Sequence, residues 1–97
     1  MKPFMILVTY TTNPGMRETF IQEVTSSGIL EQIRAEDGLL TYDYYLPVQN
    51  DNQILLVEKW SSREHQQRHL RQPHMEKLKE LKERYVNHTH LECVYPE

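Results

Sequence analysis

Three residues near the middle of the chain have types and spacing suited to moving a proton: Glu58, Trp60 and His69. Glu58 breaks the apolar run Ile54 to Val57 and stands two positions before Trp60, so on a strand Ile54, Leu56, Glu58 and Trp60 share one face. A carboxyl among apolar neighbours has a raised pKa and can exchange protons near neutrality. The same residue at a strand end would simply be solvated or salt-bridged. His65 and His69 lie four apart, which puts two imidazoles on one helix face, and His74 follows across Pro73. Zinc chemistry would want a glutamate beside the first histidine, where the chain has Gln66, and no carboxylate stands at a third-ligand spacing within the helix. No metal is expected. With Leu70 beside it, His69 is the inward candidate, and His65, among Glu64, Gln66 and Gln67, the outward one. An inward histidine is either a hydrogen-bonded core residue or a catalytic or orienting group. Tyr42 and Tyr44 alternate on one strand face, where phenol hydroxyls could orient a carbonyl or a hydroxylated ring; core packing is the competing use.

These side chains meet only if strands and helices carry them together. Phe4 to Thr12 is apolar on both alternating faces, the pattern of a strand buried on both sides. Asn13-Pro14 reads as an N-cap and first helical residue, followed by Met16, Phe20 and Val24 at helical spacing. Ser26-Ser27-Gly28 weakens that helix, Ile29, Leu30 and Ile33 resume it, and Glu36-Asp37-Gly38 stops it. Leu39 to Leu46 is a second strand, with Leu40, Tyr42, Tyr44 and Leu46 on one face, and a polar turn leads into a third, Gln53 to Trp60. Ser61 with Glu64 forms a capping box that opens a short helix. Pro73 separates it from another, along which Met75, Leu78, Leu81, Lys82 and Tyr85 line one side. Thr89 to Tyr95 closes the chain as a strand. The order β-α-β-β-α-α-β predicts an α+β, ferredoxin-like fold. Helices cover one face of such a sheet, while strands one and three are apolar on the other face too, so a sheet-to-sheet homodimer is expected.

Ninety-seven residues suit a single domain over residues 1–97. A net charge of −3 offers no basic excess for nucleic acid. Gly15, Gly28 and Gly38 are too widely spaced to form a phosphate-binding loop. Cys93 is the only cysteine, which suits a reducing, cytoplasmic setting and reads as a small buried hydrophobe. The longest early apolar run, Phe4 to Val8, is too short for a signal segment or a membrane span.

Taken together, Asn13-Pro14-Gly15, Glu36-Asp37-Gly38 through Tyr42, Glu58-Lys59-Trp60 and His69-Leu70-Arg71-Gln72-Pro73-His74-Met75 resemble the antibiotic biosynthesis monooxygenase domain family. The most specific part is the acidic-x-Trp end of strand three, followed by His69 and then the Pro73-His74 pair. The resemblance implies a dimeric α+β barrel with a pocket between sheet and helices. It also implies oxygenation of small quinols or hydroxylated aromatics without flavin, haem or metal. In that chemistry the substrate supplies the electrons, and the protein supplies a base, orientation and a dry cavity. No cofactor is expected; the partners would be a small-molecule substrate, dioxygen and a second copy. On this reading His69 accepts the proton, Glu58 is its partner, and Trp60, Tyr42, Tyr44 and His74 shape the pocket. Haem-degrading members carry an asparagine and a ligating histidine near the positions of Val8 and Lys79, so haem is not implied here. Other relatives isomerise small carbonyl compounds, which leaves an isomerase or tautomerase and a non-catalytic dimeric ligand-binding module as alternatives. An RNA-binding module of the same strand order would need aromatics where strand three reads Ile54-Leu55-Leu56-Val57.

Overall fold

In the computed structural model, which describes residues 2–95, the chain runs β1 (Phe4–Thr12), α1 (Arg17–Ser26), α2 (Ile29–Arg34), β2 (Leu39–Tyr45), β3 (Gln53–Trp60), α3 (Arg63–Leu70), α4 (Met75–Tyr85) and β4 (Val86–Tyr95). The strands form one sheet in the order β2-β3-β1-β4, each neighbouring pair antiparallel. This is the ferredoxin-like α+β arrangement, with the weakened first helix resolved into α1 and α2.

Alternation along the two central strands divides the molecule. On β1, Phe4, Ile6, Val8, Tyr10 and Thr12 are buried beneath the helices, and Met5, Leu7, Thr9 and Thr11 are half-buried on the opposite face. On β3, Ile54, Leu56, Glu58 and Trp60 take the helix side. Phe20 and Val24 of α1, Ile29 and Ile33 of α2, and Leu78 and Leu81 of α4 close the core from above. Burial of each such side chain contributes about 1.5–3 kcal/mol. Glu58 is therefore no strand-end residue: it pairs with Ile6 on one side and Tyr42 on the other, in the middle of the sheet.

Several local boundaries differ from the sequence pattern for physical reasons. Asn13 does not cap α1. Its carbonyl accepts from the Met16 amide at 3.0 Å across Pro14-Gly15, a turn with Pro at its second position and Gly15 at φ +77° at its third, and the helix starts at Arg17. The amide and side chain of Asn13 are instead engaged by the Tyr85 and Arg84 carbonyls at the end of α4. The cap of α3 is Ser62 rather than Ser61: its hydroxyl accepts from the His65 amide and lies 2.7 Å from His65 Nδ1, so a histidine occupies the place expected for the box glutamate. In β2 an irregularity between Leu39 and Thr41 inserts Leu40, so Leu39 packs on the core with Tyr42 and Tyr44 while Leu40 is exposed. β4 begins at Val86, earlier than its alternation suggests, and Cys93 is exposed on it rather than buried.

The turn that delivers β2 has a tight steric condition. Gly38 adopts φ +83°, and a Cβ there would overlap the His65 ring, whereas Gly15 has a similar φ with open space around it. Gly15→Ala is expected to cost about 1–2 kcal/mol from the left-handed backbone alone. Gly38→Ala should cost more, because it must also displace His65. Denaturant melts of the two variants compare these losses, and equal losses would mean that the His65 contact contributes nothing.

Candidate active site

The site is assembled from three directions. Two-residue spacing on β3 puts Glu58 and Trp60 on the same side, and the indole Nε1–H donates to Glu58 Oε1 at 3.1 Å. The Ser62 cap aims α3 so that Gln66 and His69 face the sheet. His69 is 1% exposed, its ring 4.7 Å from that of Trp60 and edge-on to Tyr42 at 5.8 Å. Just after α2, the Glu36 backbone is fixed by its amide donating to the Ile33 carbonyl and its own carbonyl accepting from Leu39. That places the Glu36 carboxylate against two histidines, 2.9 Å from His69 Nδ1 and 2.7 Å from His74 Nε2, both at Oε2.

His69 is therefore partnered by Glu36, not by Glu58. Glu58 acts on it only through space, and no described residue hydrogen-bonds His69 Nε2. With Nδ1 bonded to the carboxylate, Nε2 is the nitrogen left for a ligand. The side chains of Glu36, His69 and His74 are 9%, 1% and 14% exposed, so the cluster is largely removed from water.

His69 forms part of the wall of a cleft of about 140 Å³ between the sheet and helices α3 and α4. Ile6, Val8, Leu70, Met75, Leu78 and Leu91 make it mostly apolar, with Glu58, Tyr10, Tyr42, Gln66, Lys82 and Thr89 as its other polar groups beside His69. Burial pushes the Glu58 carboxyl up, against the opposing pull of the Trp60 hydrogen bond and the His69 and Lys82 charges. Burial likewise raises Tyr10, Tyr42 and Tyr44, which keeps all three phenols protonated as donors. The Tyr44 hydroxyl is buried and makes no hydrogen bond of good geometry with a described residue.

The residues singled out in the sequence thus take three positions. His69, Glu58 and Tyr42 line the cleft; Trp60 and Tyr44 stand behind its wall, supporting Glu58 and Tyr42; His74 lies beyond Glu36, on a separate polar cleft of about 290 Å³ with Asp37, His65 and Arg68. His65 does not face open water. Its side chain is 11% exposed and packs against Ser62 and Gly38, with Asp37 3.5 Å away. Among the described residues no group of three or more His, Cys, Asp or Glu side chains could hold a metal ion.

Two site residues escape the sequence. Glu36 reads as part of a helix stop, and its contact with His69 spans 33 positions, which no local pattern reveals. Lys82 left a signal: it is a lysine on the apolar side of an amphipathic helix, one turn beyond Leu78.

An antiparallel sheet with helices on one face, and His69 and Glu58 lining the cleft between them, make up a ferredoxin-like domain. The profile of the family Antibiotic biosynthesis monooxygenase matches residues 3–81, and the chain belongs to that family. Similar solved structures include PA3566 from Pseudomonas aeruginosa, 22% identical over all of this chain and 96% of the other, with a TM-score of 0.85. Rv0793 from Mycobacterium tuberculosis is 20% identical over 99% and 96% of the two chains, at 0.83. A Nitrosomonas europaea protein provisionally named an antibiotic biosynthesis monooxygenase is 17% identical over 97% and 92%, also at 0.83. At these identities the likeness establishes the fold. A comparison with curated proteins finds no match.

The raised Glu58 carboxyl gives a pH test with a definite sign. A group whose pKa is higher folded than unfolded favours folding while protonated and loses that advantage as pH rises from the unfolded value, about 4.3, through the folded one. Glu58→Gln keeps an acceptor for Trp60 and removes the ionisation. The variant's melting temperature relative to wild type should therefore climb with pH above about 4.3 and then level off. A difference that is flat across pH 4–8 would mean that the buried carboxyl ionises without penalty.

Proposed function

We propose that this chain is a cofactor-independent monooxygenase acting on a small quinol or hydroxylated aromatic. The observation that carries the proposal is the buried His69, oriented through Nδ1 by Glu36 and presented in the wall of an apolar cleft. In this reading His69 Nε2 accepts the substrate's hydroxyl proton, Glu36 stabilises the resulting imidazolium, and the protonated Tyr10 and Tyr42 orient the ring's oxygen substituents. The electron-rich ring anion gives an electron to dioxygen, and recombination forms a C–O bond and a ring peroxide. Cleavage of the O–O bond with loss of the ring hydrogen yields a carbonyl and one water. The substrate supplies all four electrons, one oxygen atom enters the product and the other leaves as water. The apolar walls keep water from the ring anion.

Family membership supports an oxygenase-like role, and the paired Glu36 and His69 supply the base that such chemistry needs. The same base would serve an isomerase, which consumes no oxygen. Incubation with a panel of quinols and hydroxylated aromatics, with and without air, separates the two. A product with one more oxygen atom and two fewer hydrogens that forms only in air, with matching oxygen uptake, is the expected result. Isomeric product formed equally without air would overturn it. His69→Ala should lower turnover by about 10²–10⁴-fold with the fold intact. A purely structural histidine would instead cost about 1–3 kcal/mol of stability and reduce activity only in proportion to unfolded protein.

We also propose that the chain works as a homodimer joined through the sheet face opposite the helices. Leu7 pairs with Val57 and Thr9 with Leu55 on that face, Met5 is half-buried beside them, and Tyr45, opposite Leu55, is 52% exposed. Sedimentation equilibrium should give twice the chain mass, and Val57→Asp should shift it towards monomer. A wild-type monomer at micromolar concentration would contradict the proposal.

A further inference from the structure

The cleft holds a positive charge that the proposed chemistry does not use. Lys82 lies one turn beyond Leu78 on α4, and both line the cleft. Its ammonium stands 5.6 Å from the centre of the Tyr10 ring, in the cleft wall, rather than reaching a carboxylate. Among the described residues no ion pair within 4 Å involves Lys82. The carboxyl that feels it, Glu58, accepts from the Trp60 indole at Oε1 and acts on Lys82 through space without a contact within 4 Å. Lys82 also borders an outer groove with Arg71, Lys79 and Glu76, so it stands where the apolar cleft opens towards a charged rim in which cations outnumber the one carboxylate.

We infer that Lys82 selects the substrate, and that the substrate is a single-ring hydroxylated aromatic bearing a carboxylate-sized anionic group, with the ring in the cleft and the anion on the Lys82 ammonium. This inference rests on the cleft being the substrate site. The size suits one ring: an apolar cavity of about 150 Å³ takes up one benzene ring, and this cleft offers about 140 Å³ before it opens onto the outer groove. Charge limits the substituent. A half-buried lysine without an ion-pair partner carries a desolvation cost, visible as a lowered Lys82 pKa that Glu58 only partly offsets, and an incoming anion relieves it. A neutral ring of the same shape gains nothing there. The phenol donors and His69 remain free for the ring hydroxyl, so recognition and proton transfer fall to different residues.

The test is calorimetric binding of 4-hydroxybenzoate, its neutral isostere 4-hydroxybenzamide and the bicyclic 1-hydroxy-2-naphthoate, to wild type, Lys82→Met and Lys82→Arg. Wild type should bind the acid about ten- to a hundredfold more tightly than the amide, as expected for a charge-assisted contact out of water, and more tightly than the naphthoate. Lys82→Met keeps the apolar stem, so it should hold its fold and its amide affinity while the preference for the acid falls to about twofold or less. Lys82→Arg should retain the preference. Equal affinity of wild type for acid and amide, or a preference that survives in Lys82→Met, overturns the inference. Failure of all three compounds to bind overturns both this inference and the cleft as the substrate site. Lys82-dependent binding without oxygen uptake refutes the oxygenase reading alone.

Discussion

The carboxylate of Glu36 sits between two imidazoles that reach it from different parts of the chain, and the geometry of the site follows from that contact. His69 comes from the end of α3 and His74 from the turn before α4, and both meet the same oxygen, Oε2. A carboxylate so far out of water needs hydrogen-bond partners, and two imidazole nitrogens are placed to supply them. In return the carboxylate engages His69 at Nδ1 and leaves Nε2 without a hydrogen bond to a described residue. It also ties the end of α2 to the connection between α3 and α4, so one interaction serves both the packing of the helical layer and the aim of the proposed base.

The second constraint is a carboxyl placed in the middle of the sheet. Glu58 lies between Ile6 and Tyr42, where an apolar residue would be the stable choice, and the Trp60 indole is its only hydrogen-bond donor among the described residues. Its burial raises its pKa at a cost to folding near neutrality. Such a cost at the floor of a cleft, opposite a histidine, suits a site that handles protons and developing charge. Stability elsewhere comes from the alternating apolar faces of β1 and β3 beneath α1, α2 and α4.

Much of the fold was legible because it is periodic. The two-residue alternation of Phe4–Thr12 and Gln53–Trp60, the helical spacing of Phe20 and Val24, and the break at Pro73 each report local geometry directly. Sequence pattern and structure part where local rules compete. Asn13-Pro14-Gly15 can cap a helix or make a turn, and the Tyr85 and Arg84 carbonyls favour the turn. Two serines in a row can each cap α3, and His65 decides for Ser62. A one-residue irregularity at Leu40 is invisible to alternation yet reverses which face Leu39 and Leu40 occupy. The site divides in the same way. Glu58 and His69 stand out as polar residues in apolar settings, whereas the Glu36 contact depends on tertiary closure and could not be read from spacing. Lys82 could have been, since a lysine on an apolar helix face needs a reason.

The most direct test of the Glu36–His69 contact is the protonation pattern of the His69 ring, read by long-range ¹H–¹⁵N correlation of the imidazoles at neutral pH. The Nδ1 contact predicts a proton on Nδ1, donated to Glu36, and it predicts that Glu36→Ala abolishes this preference. A His69 carrying its proton on Nε2, or a pattern untouched by Glu36→Ala, would contradict the claim that Glu36 orients this residue as a base.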